Sequence, residues 1–310
     1  MKRTVFALVL GITAASACGP STRDDNFGTN DGGNNGSGSG NGSGDGCSAS
    51  AKLVYVVDSN NMLSQFDPTT KVFTDLGQLS CPAPTGYTPF SMGVDRNSQA
   101  YVLYVKQSTT TNGAVDGTKL YKVDTTSATL TCVATTFNPG NLKEFGMGFS
   151  TTTAGGSIDQ LFIAGGSNVD PTATSALNTL DVSTYTPTAV GSVTGSPELT
   201  GNANSELWGF FPDASNPKIE QINKTTGLAD HTFPLTDSSF VGDPRAWAFA
   251  FYGGDYWIFL EKDNSGGFNP ETNTTVYQVS DTGVLKGKTN APGHTIVGAG
   301  VSTCAPVTIE

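Results

Sequence analysis

Five carboxylates near the ends of predicted strands, Glu144, Glu198, Glu206, Asp243 and Glu261, are the groups in this 310-residue sequence that could do acid–base chemistry. Two of them facing one another at about 5–10 Å would suit glycoside hydrolysis, one giving a proton while the other attacks or activates water. The sequence pairs none of them, and near strand ends a surface or turn role is the default expectation. A serine nucleophile would need a histidine held by a carboxylate, and only His231 and His294 exist. His231 lies in ADHTFPL, where alternation puts it on the face of Phe233 and Leu235, and His294 sits in a Pro-Gly loop. No G-x-S-x-G elbow accompanies either.

Ligand-holding chemistry has three further candidates. Residues Glu261, Asp263, Ser265 and Glu271 offer hard oxygens in a glycine-containing stretch ending at Asn273. That stretch lacks the D-x-D-x-D-G order and the twelfth-position Glu of a calcium loop, so it reads as an acidic solvated loop. Trp208, Trp247 and Trp257 could stack on sugars, but their places inside strands make them core. Cysteine spacing has no C-x-x-C, so neither a metal nor a cofactor is expected. The formal net charge of -11 argues against nucleic acid, which needs clustered Lys and Arg.

These side chains are carried by a repeated element. MLSQFDPTTKVFTDLG, KLYKVDTTSATLTCVAT, ALNTLDVSTYTPTAVGSV, KIEQINKTTGLADHTF and TVYQVSDTGVLKGKT each alternate apolar and polar residues, reach a turn-former and resume. Their anchors Asp67, Asp124, Asp181, Asn223 and Ser280 are 57, 57, 42 and 57 residues apart. A hairpin recurring at this interval marks a β-propeller or similar array. Two more candidate strands precede each hairpin, such as FGMGFS and QLFIAGG at residues 145–150 and 160–166, so each unit reads as four strands. The first unit lacks its opening strand, and TIVGAGVSTC (295–304) is an opening strand with no hairpin after it. Pairing the two closes a ring of five blades and removes the open sheet edges. The expected fold is therefore all-β, a propeller of five four-stranded blades closed by the C-terminal strand. Gly93, Gly146, Gly148, Gly201, Gly298 and Gly300 suit the crowded strands round the axis.

YVVDSNNMLSQFDPTT (55–70), and KLYKVDTT (119–126) for its second half, resemble the YVTN-type and quinoprotein-like propeller repeats. The resemblance implies a fold and no activity, because propellers host many chemistries.

The chain opens MKRTVFALVLGITAASACGPS, with a basic start, an apolar run too short to span a bilayer, and small residues before Cys18. Ala15 to Cys18 resembles a bacterial lipobox, with Ala15 where Leu is commonest; ordinary signal-peptidase cleavage is the alternative. The resemblance implies a signal peptide over residues 1–17 and a lipidated Cys18. Gly19 rather than Asp after that cysteine implies the outer membrane. Residues 18–46, almost all Gly, Asn, Ser and Asp, cannot bury enough surface to fold and read as a tether with a span of about 30 Å. Residues 47–310 form the propeller domain.

Four cysteines remain, and an even number in an exported chain points to two disulfides. Among three connectivities the propeller selects Cys47 with Cys304, where the ring shuts, and Cys81 with Cys132, on neighbouring outer strands. Connections from second to third strand and links between blades look long, and antiparallel geometry puts both on one rim. Long loops on a rigid scaffold usually carry binding, so Tyr87, Asp170, Phe240, Asp243, Arg245, Asp263 and Phe268 are the expected ligand face. The overall expectation is a membrane-anchored cell-envelope lipoprotein whose propeller is a non-catalytic binding or scaffolding module for a protein or glycan. A carbohydrate- or lactone-directed hydrolase with funnel carboxylates, and a structural accessory of an outer-membrane assembly, are the alternatives.

Overall fold

The computed structural model describes residues 47–308, apart from 112, 168–172 and 264–272. The signal peptide, Cys18, the tether, Asp170, Ser265, Phe268 and Glu271 lie outside the described residues. Twenty strands form five four-stranded antiparallel sheets, and the protein is a five-bladed β-propeller.

Blade 1 comprises β1 (Val54–Asp58), β2 (Met62–Asp67) and β3 (Val72–Gln78), with β20 (Ile296–Val301) as its inner strand. Blade 2 is β4 (Thr88–Val94), β5 (Gln99–Gln107), β6 (Val115–Asp124) and β7 (Val133–Ala134). Blade 3 is β8 (Glu144–Thr151), β9 (Asp159–Gly166), β10 (Thr174–Leu180) and β11 (Pro187–Thr194). Blade 4 is β12 (Glu198–Gly201), β13 (Leu207–Phe211), β14 (Lys218–Ile222) and β15 (Ala229–Pro234). Blade 5 is β16 (Asp243–Tyr252), β17 (Asp255–Asp263), β18 (Thr274–Ser280) and β19 (Leu285–Ala291).

The ring closes as the orphan strand requires. Val54 pairs with Val301 and Val57 with Gly298, so the last strand completes the first sheet. The Cys47–Cys304 disulfide lies beside this seam, and Cys81–Cys132 joins blade 1's exit to blade 2. The second bridge explains why β7 has only two residues. Just before it, Cys132 N–H donates to Ser80 and the Ser80 N–H donates to Leu130, so this part of the predicted outer strand pairs with the inter-blade link instead of β6.

Apolar residues fill the gaps between blades, one cluster at each of the five interfaces. Between blades 5 and 1, Phe66 meets Trp257 and Phe259 at ring-centre distances of 5.2 and 5.4 Å. Near the axis the backbones crowd. A Cβ on Gly146 would stand 2.1 Å from the Pro197 carbonyl oxygen, and one on Gly298 would stand 2.8 Å from the Met92 nitrogen, so only glycine fits. The five anchors act alike at the outer turns: Asp67, Asp124, Asp181, Asn223 and Ser280 each accept the N–H two residues on. That local bond turns the chain within a few residues.

Loop lengths separate the rims less cleanly than the sequence suggests. The strand ends that flank connections 108–114, 167–173, 212–217 and 264–273 and links 79–87, 135–143 and 235–242 do share one rim, but 59–61, 195–197 and 292–295 on that rim are short.

Candidate functional site

All five blades contribute to one cavity on the long-loop rim, so it lies on the propeller axis. Its lining includes Val297 of blade 1, Phe90 and Gln107 of blade 2, Glu144 of blade 3, Glu198 of blade 4, and Arg245, Ala246 and Trp247 of blade 5. Its volume is about 240 Å³. Inner-strand sequence explains the placement: Glu144 and Glu198 are the first residues of β8 and β12, where those strands enter the sheet from the rim.

The two glutamates are almost wholly buried, each 2% exposed. Glu198 stitches three inner strands together. Ser91 of β4 donates its hydroxyl to Glu198 Oε2 at 2.9 Å, and the N–H of Met147 in β8 also donates to the carboxyl. Burial nevertheless pushes its pKa well above the usual glutamate value, the two donors offsetting only part of the desolvation, which favours the neutral acid. Gln107, at the end of β5, donates its side-chain amide to Glu144 Oε1. On the opposite side Arg245 donates to Asp263 Oδ2 at 2.7 Å; the arginine side chain is 52% exposed and the aspartate fully buried. Phe90 and Trp247 are half-buried and supply aromatic wall.

Among the described residues of the expected ligand face, Arg245 alone lines the cavity, with Asp263 holding it. Asp243 is exposed at the start of β16. Tyr87 packs over blade 2, its hydroxyl in the place a Cβ on Gly117 would take. Phe240 is a correction: it is 1% exposed, its ring 4.5 Å from that of Tyr277, because the link 235–242 folds it back into the interface of blades 4 and 5. The carboxylates separate as well. Glu144 and Glu198 share the cavity, whereas Glu206 sits past β12, bonded to Asn202 and Trp208. Glu261 is buried in β17, and its Oε2 has no hydrogen-bond partner. Trp208 and Trp257 are core, and Trp247 instead reaches the cavity.

The histidines also divide. His231 is exposed on β15. His294 is held by a carboxylate, a contact the sequence could not show because its partners are in blade 1. Its Nδ1 is 3.0 Å from Asp58 Oδ2, its Nε2 is 3.5 Å from Asp75 Oδ1, and its ring stacks on Phe73. Ser64 donates its hydroxyl to Asp75 at 2.8 Å, so the group is a clasp across the ring seam.

The axis has a second opening. A cavity of about 620 Å³ on the short-loop rim is lined by Arg96, Gly155, Ser157, Thr303 and the Cys47–Cys304 bridge. Arg96 there makes a two-pronged bond to Asp159 at 2.8 and 3.0 Å and also donates to Thr303 and the Gly156 carbonyl.

No protein-family model matches the chain, and no curated protein matches its sequence. Solved structures match at low identity. A protein of unknown function from Bacteroides caccae is 11% identical over 80% of this chain and 97% of that one, with a TM-score of 0.43. TolB from Acinetobacter baumannii is 9% identical over 80% and 65%, at 0.41. An exo-β-1,3-galactanase from Clostridium thermocellum is 8% identical over 76% and 52%, at 0.44. The fold assignment rests on this chain's own strand pairing.

Proposed function

We propose that this chain is a lipid-anchored protein of the bacterial cell envelope whose propeller binds, without turning over, a small polar unit of a glycan or protein at the long-loop mouth of its axis. The observation that carries the binding reading is the cavity to which every blade contributes, with two buried carboxyls in its lining and aromatic wall at Phe90 and Trp247. Convergent polar groups in a largely apolar concavity are what recognition of a small moiety needs. A volume of about 240 Å³ admits one sugar ring or one side chain. Binding is favoured over hydrolysis because both carboxyls are already engaged: Glu198 holds inner strands together through Ser91 and Met147, and Glu144 takes the Gln107 amide. The anchoring half rests on Ala15 to Cys18 and the Gly/Asn/Ser stretch after it.

Glycan and peptide arrays probed with the full chain, with Trp247→Ala and with Ser157→Ala on the opposite rim test the binding half. Signal lost only in Trp247→Ala supports the assignment, and signal lost only in Ser157→Ala overturns it. Partition into the detergent phase with an acylated Cys18 supports the anchor; an unmodified amino terminus in the aqueous phase contradicts it.

One observation favours hydrolysis as a second reading. A carboxyl kept towards its protonated form, lining the same cavity as a second glutamate, is the arrangement of a general acid and its partner. Release of new reducing ends from an array ligand, abolished in Glu198→Gln, would put that reading in place of the first.

A further inference from the structure

We propose that the axial cavity seats a primary ammonium group, carried on a short arm or a single sugar ring. This rests on the reading of the long-loop mouth as the binding site and names the chemistry it recognises.

The charges around the cavity point one way. Glu198 is desolvated, and the donors that hold it, the Ser91 hydroxyl and the Met147 N–H, are neutral. They fill hydrogen-bond positions without balancing a negative charge. Glu144 adds a second carboxyl to the same lining. Among the described residues of that lining, Arg245 is the one cation, and its guanidinium is bonded to the buried carboxylate of Asp263. The neighbouring Lys262 directs its ammonium to the Ser239 and Val241 carbonyls. An anionic ligand would therefore meet two glutamates and an arginine whose charge Asp263 already offsets.

The walls agree with the floor. Phe90 and Trp247 border the space, and aromatic faces attract a desolvated cation that neutral ligands cannot exploit equally. The chain's net charge of -11 raises the local concentration of small cations. The size restricts the rest of the ligand, since about 240 Å³ lies below the roughly 300–1,000 Å³ of drug-sized pockets.

The ionisable groups that share the lining with Glu198 are Glu144 on β8 and Arg245 on β16.

Calorimetry on the full chain near neutral pH, with n-butylammonium, glucosamine and N-acetylglucosamine as probes, tests this. Both amines are expected to bind, the N-acetyl sugar at least about tenfold more weakly, and Glu198→Gln to weaken the amines by about tenfold or more. The tighter amine tells whether the natural source is a lysine-like arm or an amino sugar. An N-acetyl sugar that binds as tightly as glucosamine, or no amine binding at about 10 mM, overturns the proposal. Should Glu198→Gln fail to fold, Trp247→Leu replaces it: weakened amine binding supports the seat, and unchanged affinity overturns it. Neutral array ligands that bind at Trp247 while no amine binds would sink this inference and leave the binding reading standing.

Discussion

Two charged groups at opposite ends of the propeller axis, Arg96 and Glu198, are held in opposite ways. At the short-loop end Arg96 meets Asp159 through two bonds and is completed by Thr303 and the Gly156 carbonyl. Nearby, Lys224 donates to the Thr151 carbonyl at 2.7 Å and the Ser205 hydroxyl at 2.6 Å. Charge there is directed at the fold itself, linking the turns of different blades. At the long-loop end Glu198 is buried more deeply and held by neutral donors, next to a cavity. The larger opening is thus the structural one, and the smaller opening keeps a carboxyl whose ionisation the fold disfavours.

The contrast can be broken or sharpened by substitution, beginning at the structural end. Cys304→Ser opens the bridge across a separation of 257 residues, so the loss should approach an upper limit of about 5 kcal/mol in the chain-entropy account. Cys81→Ser, across 51 residues, should cost less, and thermal melts that rank the two in reverse would break the ring-closure argument. Arg96→Ala leaves the half-buried Asp159 with the Thr303 hydroxyl as its remaining side-chain donor and should destabilise by about 2 kcal/mol, read from denaturant midpoints, with ligand affinity at the other end unchanged. A change in that affinity would mean that the two ends are not separate in role.

The smallest effect has the opposite sign and sits at the other end. Because the folded protein holds the Glu198 proton more tightly than the unfolded chain, this residue's contribution is full below the unfolded value of 4.5 and declines as pH rises towards the folded value. Glu198→Gln should remove that decline, so its melting temperature should gain on the wild type from about pH 5 upward. Parallel curves would show that the carboxyl is not strained by burial.

Much of the architecture was legible because it is written locally. Asp67, Asp124, Asp181, Asn223 and Ser280 mark the outer turns through bonds to residues two positions away, and the unpaired strand at 295–304 implies the closure. The cysteine pairing followed from that topology. The site was less legible, since it is made of single residues from five distant stretches. Glu144 and Glu198 stood among five candidate carboxylates, and nothing local separated them from Glu206 or Glu261. Their common position, the first residue of an inner strand, was not enough of a signal, since Asp243 also begins an inner strand and is exposed. Phe240 shows the converse failure: a long link suggested a surface, but its apolar ring found the space beside Tyr277. His294 could not be paired from sequence because Asp58 is 236 residues away.

The protein has three tryptophans, of which Trp208 and Trp257 are buried between blades and Trp247 borders the axial cavity, so each reports on a different place. Fluorine NMR of the chain labelled with 5-fluorotryptophan, titrated with n-butylammonium, therefore tests the site directly. The Trp247 resonance is expected to move and saturate while the other two hold their positions. A Trp247 resonance that stays fixed while the protein binds the amine, or a saturating shift confined to Trp208 or Trp257, would contradict the assignment.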